Sequence, residues 1–247
     1  MYRSDDFFDF SQLGSPLAEL FDSVEWVWDV LKKLNTYLED FLLDKAAILG
    51  EVEDGATLVN RDQIYIGPGT RIEAGAYITG PAYIGANCQV RHGAYIRGSV
   101  MAGENCVLGH ASEFKNALLF PESHAAHFSY VGDSILGHRV NLGAGTKLAN
   151  MEMFSNYYKF KTGQRPTIKI LLPGIDEPID TGLTKLGAII GDDVQTGCNT
   201  VTNPGCLIGR NTLIYANTSL LKGYYEPNKI IKLRQGFEVA DWDKSIK

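Results

Sequence analysis

The sequence predicts a mainly β fold: a parallel β-helix of six-residue repeats, preceded by a helical segment and interrupted by one long inserted loop. Three observations carry this. Apolar residues recur every six positions from Ile66 through Ile72, Ile78, Ile84, Val90, Ile96, Ala102, Leu108, Phe114 and Phe120 to Ala126. The step returns at Ile190 and runs through Thr196, Thr202, Ile208, Ile214 and Leu220. Glycine, asparagine or another small residue stands between these sites, as in "YIGPGTRIEAGAYITGPAYIGAN". A period of six suits neither an amphipathic helix nor a single strand. It suits short strands joined by corners, three hexads to a triangular coil, with equivalent residues of successive coils stacked about 4.8 Å apart.

Residues 1–46 read as a helical segment. Ser15 is the expected N-cap and Pro16 the first helical residue. Leu17, Leu20, Phe21, Val24, Val27, Trp28, Leu31, Leu34, Leu38, Phe41 and Leu42 then trace one face. A solenoid exposes its terminal coil, so this helix is expected to cover that end or to pack on a partner subunit. Residues 47–222 form the β-helix. After Ala126 the expected interior sites are Val131, Leu136 and Leu142, so the coil shortens close to His127. Residues 151–186 keep no six-residue beat and read as an inserted loop on a binding face, basic in its first half and acidic in its second. Residues 223–247 leave the beat and read as a tail.

The chain has 247 residues, 45% hydrophobic, with a formal net charge of −6. No overall basic field attracts nucleic acid or an anionic membrane. The acidic start "MYRSDDFFDF" lacks a signal-peptide pattern, and no apolar run is long enough to span a bilayer. The expected localisation is cytoplasmic. Cys88, Cys106 and Cys206 share one phase, two residues before an interior site, and read as buried free thiols rather than a disulfide framework.

Arg97 and Lys115 each follow an interior residue and should stack on one outer face. Two adjacent cations need an anion between or over them, and either Glu113 or a bound phosphate can supply it. His127 projects outward beside the shortened coil, where an imidazole titrates near neutrality and can serve as a general base. His92 and His110 stack, with His138 in a similar phase; this is the one hint of a metal site, and it lacks a close third ligand.

The hexads resemble those of the left-handed β-helix acyltransferases. The run "AAHFSYVGDSILGHRVNLGAGTKLAN" is similar to the acetyltransferase domain of the bifunctional enzymes that make UDP-N-acetylglucosamine. That resemblance implies a left-handed β-helix, acetyl-CoA as co-substrate, no metal in the acyltransferase site, and a homotrimer with each site between two subunits. It implies His127 as catalytic base, assisted by Glu113. It places Arg97 and Lys115 on the sugar phosphate, and Tyr130, Asn141, Asn150 and Lys185 on the sugar or the attacking amine. Ala144, Cys198 and Ala216 then match coenzyme contacts, and Arg234 a phosphate-gripping arginine. The implied reaction is N-acetylation of a phosphorylated or nucleotide-linked amino sugar such as glucosamine-1-phosphate.

Three departures qualify the match. A helical segment stands where that enzyme carries its nucleotidyltransferase domain. Met151 replaces an aromatic residue, and the loop from Asn150 to Lys185 is much longer. These features suit an alternative, a non-catalytic sugar-nucleotide-binding or assembly module that partners a separate nucleotidyltransferase.

Overall fold

The computed structural model describes residues 2–14, 16–22, 24–236 and 238–240. Ser15, the expected N-cap, lies outside them. Short parallel strands wind into a left-handed β-helix of about ten turns. One face is a ladder of nine strands, from Glu51–Val52 to Ile230–Ile231. Each coil turns its interior side chains into a single dry column that includes Ile66, Ile72, Ile78, Ile84, Val90, Ile96, Leu108 and Phe114. Burying such a column, at roughly 1.5–3 kcal/mol per large aliphatic side chain, is what holds otherwise marginal two- and three-residue strands.

The break in rhythm starts earlier than the sequence suggests. Beyond Phe114 the interior residues are Leu119, Ala125, Val131, Leu136 and Leu142. Phe120 and Ala126, the expected interior sites, are displaced by one. Phe120 is fully buried on the outside, with its ring 4.6 Å from that of Phe8. The cause is a corner one residue shorter. Ile96 and Val100 flank three corner residues, whereas Phe114 and Ala117, and then Val131 and Ser134, flank two. The strands Glu113–Leu119 and Tyr130–Leu136 therefore run unbroken round that corner. Asn116 (φ 46°) and Asp133 (φ 47°) make the bend in the left-handed region. Asn and Asp are the least strained of the non-glycine residues there.

The N-terminal segment is not one helix. Short turns at Ala18–Phe21 and Val27–Asp29 precede a helix at Val30–Leu42. Trp26 interrupts with extended backbone, and its N–H donates to Asp29 Oδ2 at 2.9 Å, restarting the helical path. Nor does the segment cap an end. It lies on a flat side of the solenoid, because one residue outside the interior on successive coils is also apolar: Met101, Leu118, Ile135, Ile189 and Leu207. Phe7, Phe8, Leu20, Trp28, Leu34 and Leu38 close over them in a second core.

The inserted region holds a helix at Ser155–Thr162, ended by Gly163 at φ 78°, and an antiparallel pair, Lys169–Ile170 with Ile179–Asp180. Its ends meet where Leu186 N–H donates to the Asn150 carbonyl at 2.9 Å. Ile168, Ile170 and Leu172 join the second core. Past Lys222 the beat also continues in space. Gly223–Tyr225 pairs with Cys206–Ile208 and Ile230–Ile231 with Leu213–Ile214, so the expected tail begins as another coil.

Candidate active site

One corner of the triangle stacks His92, His110, His127, Ala144, Cys198 and Ala216. The backbone builds this column. Phe128 N–H donates to the His110 carbonyl at 2.9 Å, and Gly145 N–H to that of His127 at 3.0 Å. Asn199 and Asn217 continue it, donating to the Ala144 and Cys198 carbonyls at 2.8 Å each. Along the lower part only small side chains project, and a Cβ on Gly197 would come within 2.3 Å of Ala216 N. The edge is thus a narrow, bare track with an imidazole at its head.

The three histidines of the column differ in what occupies them. His92 and His110 stack at 5.7 Å, and each Nδ1 lies on a carbonyl oxygen, of Ala74 at 2.6 Å and of His92 at 2.7 Å. The ring of His127 is exposed, and among the described residues no hydrogen bond or ion pair holds it. His138 does not belong to this column. It is buried at another corner, where its N–H donates to Asp192 Oδ1 at 2.7 Å.

Beside this corner lies a cleft of about 500 Å³ lined by Ala111, Glu113, Phe128, Ser129, Tyr130, Lys147, Ala149, Asn150 and Met151. Glu113, Tyr130 and Lys147 are register partners on three successive coils. Phe128, which follows His127, lines the cleft, and its ring lies 5.2 Å from that of His110, edge to face.

A buried carboxylate behind the cleft holds Asn150 of its lining. Asp133, 7% exposed, accepts from Asn150 Nδ2 at 2.5 Å and from Asn116 Nδ2 at 2.9 Å, and lies 3.5 Å from Lys115 Nζ. Burial, followed by the charges of Asp133 and Glu113, raises the Tyr130 phenol above its ordinary 10.0. Tyr130 therefore remains a neutral hydrogen-bonding group through neutral pH. Its hydroxyl lies over Gly132, where a Cβ would come within 2.5 Å of it. Arg97 donates to Glu113 Oε1 at 2.6 Å, and that bond raises the guanidinium further.

The structure accordingly gathers Glu113, Tyr130 and Asn150 in one cleft; Arg97 pairs with its Glu113, and Lys115 with Asp133, the carboxylate behind Asn150. Arg97 and Lys115 do not share one anion; each has its own carboxylate. Lys185 is half-buried one residue before the Leu186–Asn150 closure. His127 is one residue outside the cleft lining, in line with Ala144, Cys198 and Ala216. Asn141 lies elsewhere, on another face, in a shallow depression with His124, Arg139 and Gln195. Arg234 is exposed beyond the last strand. Sequence reasoning passed over Asp133 and Lys147. Asp133 resembled a turn residue after glycine, and its left-handed backbone at a two-residue corner is the signal that distinguishes it.

Residues 78–197 match the family model described as the GMPPB C-terminal domain. A bifunctional sugar-1-phosphate nucleotidylyltransferase/acetyltransferase of Sulfurisphaera tokodaii is 31% identical over 188 residues, 76% of this chain and 43% of that protein. The chain is similar to the hexapeptide-repeat acyltransferases. A bifunctional protein GlmU of Methanococcus maripaludis is 40% identical over 105 residues, 42% of this chain and 22% of that one. The chain thus spans less than half the length of either curated relative. The UDP-N-acetylglucosamine acyltransferase of Francisella novicida covers 72% of the chain and is covered over 61% of its own, at 12% identity and a TM-score of 0.37. Among the described residues no helix is long and apolar enough to cross a membrane.

Proposed function

We propose that this chain transfers the acetyl group of acetyl-CoA to the amine of a phosphorylated or nucleotide-linked amino sugar. Glucosamine-1-phosphate is one such acceptor, and the product serves UDP-N-acetylglucosamine or a related cell-envelope sugar. The observation that carries this reading is the position of His127, at the head of the bare Ala144–Cys198–Ala216 track and at the edge of the Glu113–Tyr130–Asn150 cleft. A thioester laid along the track and an amine held in the cleft meet at that imidazole.

In this mechanism the sugar ammonium first loses one proton to solvent, and neutral His127 takes a second from the amine nitrogen as that nitrogen bonds to the thioester carbon. Backbone donors near Ala144 stabilise the oxyanion. The C–S bond then breaks, and the imidazolium returns its proton to the coenzyme A thiolate. Glu113 and Tyr130 orient the sugar, and Lys115, Arg97 and Lys185 bring positive charge to its phosphate. The cleft is open on one side, which suits a homotrimer with each site between two subunits. Threefold packing can bring the face carrying Asn141 to a neighbour's cleft. Release of free thiol from acetyl-CoA, measured over a panel of amino sugar phosphates and nucleotide-linked amino sugars, tests the reading. Turnover by the natural chain that is lost in His127→Ala supports it; unchanged turnover in His127→Ala overturns the base assignment.

A second reading, a non-catalytic sugar-nucleotide-binding module, is favoured by the internal carboxylate partners of Arg97 and Lys115. Binding of nucleotide sugars with no turnover of any acceptor supports that alternative.

A further inference from the structure

The inserted region builds a second cavity, separate from the cleft. It is a groove of about 460 Å³. Phe154 and Tyr158, one helical turn apart, form one wall. Pro204 and Leu221 of the solenoid form the other. Phe154, Tyr158 and Leu221 are 65%, 50% and 72% exposed, a concentration of open apolar surface that a solvated loop does not need. Ser155, also in the lining, is only 2% exposed, and its hydroxyl has no hydrogen-bond partner. At the rim Lys222 Nζ meets Glu152 at 2.6 Å. A flat ring is the shape that fits between two aromatic faces and a proline.

The groove lies next to the cleft along the solenoid axis. Met151 lines the cleft, and Glu152 and Met153 line the groove. Ala149 N–H donates to the Thr202 carbonyl, and Asn203 N–H to that of Leu220. Ala149 of the cleft, Asn203 and Leu221 of the groove therefore stand on three consecutive rungs. From the Tyr130 rung to the Asn203 and Leu221 rungs is two to three steps, about 10–14 Å at the spacing of stacked strands. Lys147 stands in the cleft at the first step, with its Nζ on the Gly145 carbonyl, and Lys222 stands at the groove's rim on the last. A ring, an anionic bridge and a sugar in that order match the layout from groove to cleft.

We propose that this groove takes the nucleobase of a nucleotide-linked amino sugar whose amine sits in the cleft, with the diphosphate bridging from Lys147 of the cleft toward Lys222 at the groove's rim. This rests on the acetyl-transfer reading for its acceptor, and it narrows the acceptor to the nucleotide-linked class. The base stacks on Phe154 and Tyr158.

Steady-state acetyl transfer is compared for a nucleotide-linked amino sugar and for the same amino sugar 1-phosphate, in the natural chain, Phe154→Ala and Tyr158→Ala. Binding of UDP, GDP and ADP is measured by calorimetry in parallel. Loss of one stacking ring should raise KM for the nucleotide-linked acceptor by about tenfold or more. The value of kcat, KM for acetyl-CoA and KM for the 1-phosphate should stay unchanged. Tyr158→Phe, which keeps the ring, should restore the natural KM. Equal effects on both acceptors, or none, overturn the inference. A selective rise in KM for acetyl-CoA also overturns it, because the groove then holds the donor's adenine. If no acceptor turns over, the acetyl-transfer reading fails by itself. Nucleoside diphosphate binding that Phe154→Ala weakens still supports the groove assignment, and absence of such binding overturns it.

Discussion

The side-chain amide of Asn150 donates to Asp133 Oδ2 at 2.5 Å, tying the root of the inserted region to the shortened corner. Both Asn116 and Lys115 meet the same carboxylate. A neutral amide there keeps the shape, loses the charge that Lys115 faces, and turns an N–H₂ toward a donor. Asp133→Asn is expected to lower stability by about 1–3 kcal/mol, as for other broken buried networks. It should also raise the acceptor KM while leaving the KM for acetyl-CoA alone. Thermal unfolding and steady-state kinetics check the two parts.

His127 has an exposed ring held by no partner among the described residues. Its removal should therefore leave the fold untouched and strike the chemistry. His127→Gln is expected to reduce kcat by a factor of about 10²–10⁴. Its melting temperature should match that of the natural chain. A variant that loses turnover only because it unfolds would contradict this.

Cys198 is exposed, whereas Cys88, Cys106 and Cys206 are buried. Burial pushes the Cys206 thiol up to about 12, so it stays protonated and unreactive. Burial likewise pushes Cys106 up. A hydrogen bond from Cys106 lowers Cys88, but that sulfur remains inaccessible. One equivalent of a thiol reagent should react with the native chain, and four with the denatured one. Acetyl-CoA should slow the native reaction, because Cys198 lies on the track assigned to it.

Asp192 and Asp193, adjacent in the chain, are shifted in opposite directions. A two-point hydrogen bond from Arg139, at 2.6 and 2.8 Å, lowers Asp193 below 3.8. Burial raises Asp192, against the donated N–H groups of His138 and Asp9. The lowered group adds stability above its unfolded value, and that share is lost as pH falls through the folded value. The raised group does the reverse: its share is full at low pH and is lost as pH rises through its elevated value. Asp193→Asn should thus melt about one or two degrees below the natural chain at neutral pH, a small effect for a surface pair. The gap should close below pH 3.8. A gap that persists in acid would mean that Arg139 is not the source.

The hexads exposed the solenoid because a column of interior side chains leaves a direct trace in the sequence, from Ile66 to Phe114. They misplaced the next sites because Leu119 and Phe120 are both apolar, and only the two-residue corner decides which turns inward. The flat side that receives the helices was also written in the chain, as apolar doublets: Met101–Ala102, Leu118–Leu119, Ile135–Leu136, Ile189–Ile190 and Leu207–Ile208. The first of each pair faces the helices and the second faces the interior. In the site, His127, Ala144, Cys198 and Ala216 were singled out through the resemblance, and their shared edge is visible in the backbone bonds that stack them. The partnership of Asp133 with Asn150 was not, since it depends on a corner that only the paired strands define.

The second core makes the N-terminal helices and the hairpin of the inserted region a single covering rather than two decorations. Trp28 and Leu34 from the first, and Ile168 and Ile170 from the second, close over the same outward row. Trimming the chain to its hexads, a usual step toward crystallisation, would strip a greasy strip bare along the barrel's flank. The product should be recovered as an aggregate even though every rung remained intact.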